Sequence, residues 1–334
     1  MENLTNIRVK RTAEGNFKIT WKSHANNLSV SIFAGDSPDS IDLHKPLIHT
    51  SNPSGIVLRD LDPDVRYYFA VTVDGSDPIV TAERRIVLEG AHNFRDLGGY
   101  PTTDGYRIKW NRIYRSDTLA RITKNDQRTL KKIGIKMVCD LRAPAEVQKS
   151  PDALPEDGSI DYLNFSIVSG NMDTVAAMEK IKKGDTTWLT EEYMIEGYRN
   201  NIDNYAHVWG AFFERIVSPD SYPLVFHCTG GKDRAGVCAA LILLALGVSE
   251  KTVIYDHGLS NKFLADILPK IYDYFSSFGV DKEKLMPYLT APRAAIISVL
   301  GHIRTEYGSA VDYLKNMAGV EQKTLDRLKQ EMLD

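Results

Sequence analysis

Residues 223–236 read Pro-Leu-Val-Phe-His-Cys-Thr-Gly-Gly-Lys-Asp-Arg-Ala-Gly, and they constrain the chain more than any other stretch. A short apolar run, Leu224, Val225 and Phe226, ends at His227-Cys228. Glycines, cations and an acid follow, and then residues 237–248 are strongly apolar. That order predicts a strand, a tight loop and a buried helix. Such a loop turns several backbone N–H groups toward one point at a helix N-terminus, which makes an anion site. Gly230 and Gly231 are expected to supply the positive φ values of a tight nest. Cys228 would lie in the positive field of that nest, which favours thiolate over thiol. Arg234 offers a planar fork able to grip two phosphate oxygens. A nucleophile (Cys228), an anion cradle (Thr229, Gly230, Gly231, Lys232 and Asp233) and a clamp (Arg234) thus fall together.

The spacing is Cys-x5-Arg, and its flanks agree. With His227 before the Cys and glycines inside the loop and after the Arg, the segment resembles the active-site loop of cysteine-dependent tyrosine and dual-specificity phosphatases. In the form His-Cys-x-x-Gly-Lys-Asp-Arg it is similar to a bacterial and fungal branch that also acts on phosphoinositides. Other stations of that branch follow in chain order. They are Asn93-Phe94-Arg95-Asp96-Leu97-Gly98-Gly99-Tyr100, Tyr114-Arg115-Ser116 with Leu119, and Asp140-Leu141-Arg142 with Glu146. Residues 256–261 resemble its Asp-Tyr-Leu-x-Ser-Asn motif, with His257-Gly258 in the middle, and Glu306-Tyr307-Gly308-Ser309 with Tyr313-Leu314 resembles its closing segment.

The resemblance implies roles. Cys228 would attack phosphorus and form a phosphocysteine intermediate. Loop amides and Arg234 would stabilise the equatorial oxygens. Lys232 would bind a further phosphate of a polyphosphorylated substrate. His227 is expected to bond backbone near Cys228 and hold the loop. The proton donor in this branch is a loop Asp, or an Asp after the Asp-Leu-Arg strand. The second region here reads Asn164-Phe165-Ser166-Ile167-Val168, without an acid, so Asp233 is the first choice. The alternative for Asp233 is an ion pair with Arg95 or Arg142. Arg95, Asp96, Asp140 and Arg142 read as one network bracing the loop, since buried charges come paired. Asp256 and Asn261 are expected to cap or tie the helix after the active-site helix. Ala235 stands where a Ser or Thr is usual, which implies slower hydrolysis of the phosphoenzyme.

The substrate class is then a phosphorylated protein, at phosphotyrosine and at phosphoserine or phosphothreonine, or a phosphoinositide. A catalytically dead phospho-binding module and an adaptor led by the N-terminal part are the competing readings. No cofactor is implied, and the eight histidines show no zinc-site spacing. A net charge of −3 gives no global basic field for nucleic acid. The three cysteines, Cys139, Cys228 and Cys238, are an odd number without paired spacing, which argues for a reducing compartment. Cys139 and Cys238 lie in apolar runs and read as inert core. The N-terminus lacks the pattern of a signal peptide, which with the cysteines predicts a cytoplasmic protein without a transmembrane segment.

A length of 334 residues predicts two domains. Residues 1–88 hold short alternating or β-branched runs, among them Ile7-Arg8-Val9-Lys10 and Tyr67-Tyr68-Phe69-Ala70-Val71, divided by Asn, Asp, Gly, Ser and Pro. They predict a small antiparallel β-sandwich that mediates protein contact or packs on the second part. Trp21, and Leu61-Asp62-Pro63 followed by Tyr67, resemble the core Trp and tyrosine corner of fibronectin type III modules. The span is slightly short for that fold, which predicts a trimmed strand. From residue 89 to 334 strands alternate with helices, so an α/β fold with a central, mostly parallel sheet flanked by helices is expected, as in cysteine phosphatases. Residues 166–205 would carry helices able to cover the site.

Overall fold

The structure, a computed structural model, describes residues 4–23, 28–73 and 76–334. The first three residues, part of the N-terminal signal reading, lie outside that set. The chain divides into two compact units, Met1–Ile86 and Val87–Asp334.

The first unit contains strands β1 Leu4–Arg11, β2 Phe17–Ser23, β3 Val30–Gly35, β4 Ile48–Thr50, β5 Gly55–Leu58, β6 Tyr68–Val73 and β7 Ile79–Ala82. They form two antiparallel sheets, in the orders β1-β2-β5 and β4-β3-β6-β7. Alternation drives the arrangement, because residues two apart share a face. Phe17, Ile19 and Trp21 of one sheet and Val30, Ile32, Phe69 and Val71 of the other enter one core. The ring of Tyr67 meets that of Phe17 edge-on at 5.5 Å. Among the described residues the unit holds seven strands, joined by connections that run up to the twelve residues between β3 and β4.

The second unit is α/β. Strands β8 Arg95–Asp96, β9 Ile113–Ser116, β10 Met137–Asp140, β11 Asp161–Asn164 and β12 Leu224–His227 make one sheet in the order β11-β10-β12-β9-β8. Neighbours are parallel except β8, which runs antiparallel to β9. The central strands β9, β10 and β12 are buried at every position, as a sheet covered by helices requires. The helices are α1 Lys124–Lys132, α2 Pro144–Lys149, α3 Thr174–Lys182, α4 Glu191–Asp203, α5 Ala206–Ile216, α6 Arg234–Ala245, α7 Glu250–Phe263, α8 Leu268–Ser276, α9 Lys282–Leu289, α10 Arg293–Tyr307, α11 Ala310–Asn316 and α12 Gln322–Met332. No helix among the described residues is long and apolar enough to cross a membrane.

Two differences from the sequence reading matter for the site. Helix α6 starts at Arg234, ahead of the apolar run, because Arg234 finds buried partners and can enter the first turn. Residues 268–289, unassigned above, form α8 and α9. They bury Tyr272, Phe275, Leu285 and Leu289 with Ile181 of α3 in a small core of their own.

Candidate active site

The loop between β12 and α6 lies at the carboxyl end of a central strand, where parallel sheets place ligands. The carbonyls of its first four residues, Cys228 to Gly231, are tied to surrounding groups. The Asn93 side-chain amide donates to Gly230 O and Gly231 O, both at 3.1 Å. Arg115 donates to Gly231 O at 2.8 Å, and the Thr118 N–H donates to Thr229 O at 3.1 Å. Cys228 O lies 3.3 Å from His227 Nδ1. The amides behave oppositely: among the described residues, the N–H groups of Thr229, Gly230, Gly231, Lys232 and Asp233 donate to nothing. Carbonyls fixed outward turn the intervening amides inward, which is the geometry of an anion nest. Gly231 alone takes a positive φ, +67°, and a Cβ there would lie 2.4 Å from Ser116 O. Gly230 does not share this conformation, so the expectation of two left-handed glycines is corrected; a Cβ at Gly230 meets only the Lys232 side chain at van der Waals distance.

Cys228 is 1% exposed at the floor of the loop. Arg234 is held by Glu146 in a two-pronged pair, at 2.6 and 2.9 Å, and donates to Ile167 O and to Thr174 Oγ1 at the start of α3. Thr229 Oγ1 donates to the same carboxylate at 2.6 Å. Burial pushes the Glu146 carboxyl up, but the hydrogen bond and charge of Arg234 dominate and hold it at about 2. Burial works against the Arg234 guanidinium, but the hydrogen bonds and charge of Glu146 raise it.

Lys232 is 6% exposed, bonded to both oxygens of Asp233 at 2.9 and 2.8 Å and placed over the Tyr288 ring. Asp233 therefore pairs with its neighbour in the loop; the expected alternatives, Arg95 and Arg142, have other partners. Its Oδ1 also accepts from Tyr198 Oη at 2.7 Å. Asp233, Arg234, Thr174, Tyr193, Tyr198 and Tyr288 line the pocket over the loop.

The bracing residues do not form one network: Arg95 belongs to one, Asp140 and Arg142 to a second, and Asp96 holds a turn. Arg95 and Arg115 both pair with Asp256, at 3.2 and 2.7 Å, and Tyr100 Oη donates to it at 2.9 Å. Asp256 thus ties α7 to the arginine and, through Arg95 and Asn93, to the amide that grip the loop carbonyls. Asn261 does tie a helix end, bonding both ways with Ala291. Asp96 accepts from the Gly98 and Asn111 amides and braces the turn after β8 instead of the loop.

The second network is Asp140, Arg142, Asp152 and His227. Arg142 pairs with both acids, at 2.7 and 2.8 Å, and His227 Nε2 lies 2.8 Å from Asp152. Burial works against the imidazolium, yet the charge and hydrogen bond of Asp152, with Asp140 behind it, raise His227 above the ordinary value. Asp140, Asp152 and His227 come close enough to ligate an ion. The Arg142 guanidinium already binds both carboxylates there, so the donor set suits an arginine rather than a metal. Cys139 and Cys238 are fully buried, and burial pushes the Cys139 thiol up to about 12.

Asp152, Tyr198 and Thr174 had no signal in the sequence, since each reaches the site through the fold alone. Asn93, Arg115 and Glu146 stood inside quoted motifs without a role; their recurrence beside the loop motif was the available signal.

A sequence profile of the tyrosine phosphatase family matches residues 86–334. A candidate tyrosine-protein phosphatase of Cupriavidus necator is 27% identical over 242 residues, covering 72% of this chain and 87% of its own length. A tyrosine-protein phosphatase of Nostoc commune is 24% identical over 318 residues, 92% of this chain and 97% of its own. The triple specificity protein phosphatase PtpB of Mycobacterium tuberculosis is 25% identical over 283 residues, 74% of this chain and 98% of its own. Since the profile spans the whole unit that carries the loop, the chain belongs to the tyrosine phosphatase family.

Proposed function

We propose that the protein is a metal-independent phosphomonoester hydrolase that works through a phosphocysteine on Cys228. The observation that carries this reading is the polarity of the loop: carbonyls tied outward, amides unspent, and Arg234 at the first turn of α6. Such a cradle fits three equatorial phosphoryl oxygens above the Cys228 sulfur. Sγ attacks phosphorus, the S–P bond forms, and the P–O bond to the leaving group breaks. Asp233 gives its proton to the departing oxygen, then takes one from the water that displaces sulfur. Lys232, buried and paired with Asp233, contributes positive charge beside the loop, toward a second phosphate of a phosphoinositide.

Phosphotyrosine is the preferred substrate in this reading, with phosphoserine, phosphothreonine and phosphoinositides as further ones. The pocket walls Tyr193 and Tyr288 offer aromatic surface to a substrate ring. We read the first unit as a fibronectin type III-like sandwich: its two antiparallel sheets enclose Trp21, and Tyr67 packs against the same core.

The test is phosphate release from a phosphotyrosyl peptide and from phosphoinositides in the presence of chelator. Cys228→Ser is expected to abolish turnover, by more than about 1,000-fold, while leaving peptide binding within about tenfold. Turnover by Cys228→Ser, or loss of parent activity on chelation, would overturn the mechanism. A parent that binds the peptide but never releases phosphate would instead be a phospho-binding module.

A further inference from the structure

Tyr198 and His257 take no part in the chemistry above, yet they are fully buried and in line with its proton donor. Tyr198, on α4, places Oη 2.7 Å from Asp233 Oδ1 and 2.8 Å from His257 Nε2 on α7. His257 stands where the resembled motif carries Tyr. Its other nitrogen, Nδ1, has no hydrogen-bond partner among the described residues.

These facts fix where the protons lie. A phenol has one proton, so Tyr198 can donate to only one of its two neighbours. Burial first, then the charges of Arg115, Lys232 and Arg95, lower the His257 imidazole to about 3, against a smaller pull from Asp256. The ring is therefore neutral near pH 7 and carries a single N–H. On Nδ1 that N–H would be a buried donor without an acceptor; on Nε2 it meets the Tyr198 oxygen. Burial raises Tyr198 well above the phenol range, so its proton stays on oxygen whether Asp233 is charged or neutral. The direction of the chain is then His257 Nε2–H to Tyr198 Oη, and Tyr198 Oη–H to Asp233 Oδ1. Lys232 bridges both oxygens of Asp233 and does not distinguish them. Tyr198 does.

We propose that Tyr198 and His257 are positioning residues for Asp233, holding Oδ1 as an acceptor so that Oδ2 carries the proton to the leaving group. In the first half-reaction Oδ2–H protonates the ester oxygen as the S–P bond forms and the P–O bond breaks. In the second, water gives its proton to Oδ2 as its oxygen bonds to phosphorus and the thiolate departs. The inference rests on Asp233 being the acid and base of the proposed reaction.

The experiment compares kcat and KM of the full chain on phenyl phosphate, whose leaving group needs a proton, and on 2,4-dinitrophenyl phosphate, whose leaving group does not. Asp233→Asn serves as the reference. Tyr198→Phe is expected to lower kcat on phenyl phosphate by about 10- to 100-fold, with KM and the dinitrophenyl rate within about threefold. His257→Leu should follow in the same sense. His257→Gln, whose amide N–H can replace Nε2–H, should restore most of the loss. Equal loss on both substrates, no loss on either, or no difference between Gln and Leu at 257 would overturn the proposal. If Asp233→Asn itself shows no dependence on the leaving group, the acid assignment and the positioning fall together. If it shows one and Tyr198→Phe does not, only the positioning falls. Should the variants not fold, 15N chemical shifts of the parent decide: His257 is expected as the neutral Nε2–H tautomer, and the Nδ1–H or doubly protonated ring would refute the chain.

Discussion

At the scale of single residues, the loop is held by what surrounds it more than by its own composition. Its two glycines look equivalent in the sequence, but only Gly231 lies at positive φ, pressed on the backbone of Ser116 and Asp117. Gly231→Ala is expected to cost at least about 2 kcal/mol, from a left-handed Cβ and its overlap with backbone. Phosphate binding should be lost with it. Gly230→Ala should stay within about 0.5 kcal/mol of the parent, because its Cβ meets only a flexible lysine. Thermal melting and phosphate titration of the two variants check this, and equal effects would refute it. The contrast also shows what the sequence could carry. The proposed nucleophile Cys228, clamp Arg234 and acid Asp233 are close neighbours in the chain, so the sequence motif already brought them together. Glu146 on Arg234, Asp152 on His227 and Asp256 beneath Arg95 and Arg115 come from distant segments. No local pattern encodes which buried acid meets which buried base. Arg95, Asp140 and Arg142 were therefore legible as partnered charges but not as members of two separate networks, and Asp96 not as the brace of a turn.

At the scale of elements, strand and helix existence followed from periodicity, and β12 falls on the residues where the apolar run predicted it. Helices α8 and α9 were not legible, because their apolar residues face a satellite core that only the fold creates. That core separates the two helices of the covering segment. Helix α4 sets Met194, Tyr198 and Ile202 in the main core, whereas α3 sends Ile181 into the satellite with α8 and α9. Helix α3 reaches the loop through Thr174 on Arg234. An element joined to the rest by a small core opens at lower free energy than one in the main core. Opening is thus expected at α3, α8 and α9, with α4 staying in place. Limited trypsin digestion should cut first at Lys180, Lys182 or Lys183 around the end of α3. Vanadate, which fills a phosphate cradle, should slow that cut by about fivefold or more by drawing Arg234 and its Thr174 contact into the closed form. Cutting that begins within α4, or that ignores vanadate, would refute this division.

At the scale of the molecule, every residue assigned to the site lies between Asn93 and Tyr288, inside the unit Val87–Asp334. That unit owns a continuous core running from Leu97 to Met332, which joins the central sheet to α4, α5, α6 and α10 through α12. The first unit closes its own core with residues between Leu4 and Val73. A unit with its own core and a complete set of site partners meets the physical condition for independent folding. Residues 87–334 expressed alone are therefore expected to melt in one cooperative transition and to hydrolyse 4-nitrophenyl phosphate with kcat/KM within about threefold of the full chain. A small aryl phosphate is the right probe, since it reports on the loop without drawing on surfaces that a larger substrate would touch. If the shortened chain folds but loses activity on this probe, the first 86 residues complete the site in a way that its hydrogen bonds do not express. If it matches the parent on the probe but falls behind on a phosphorylated protein, the first unit acts at the level of substrate recognition.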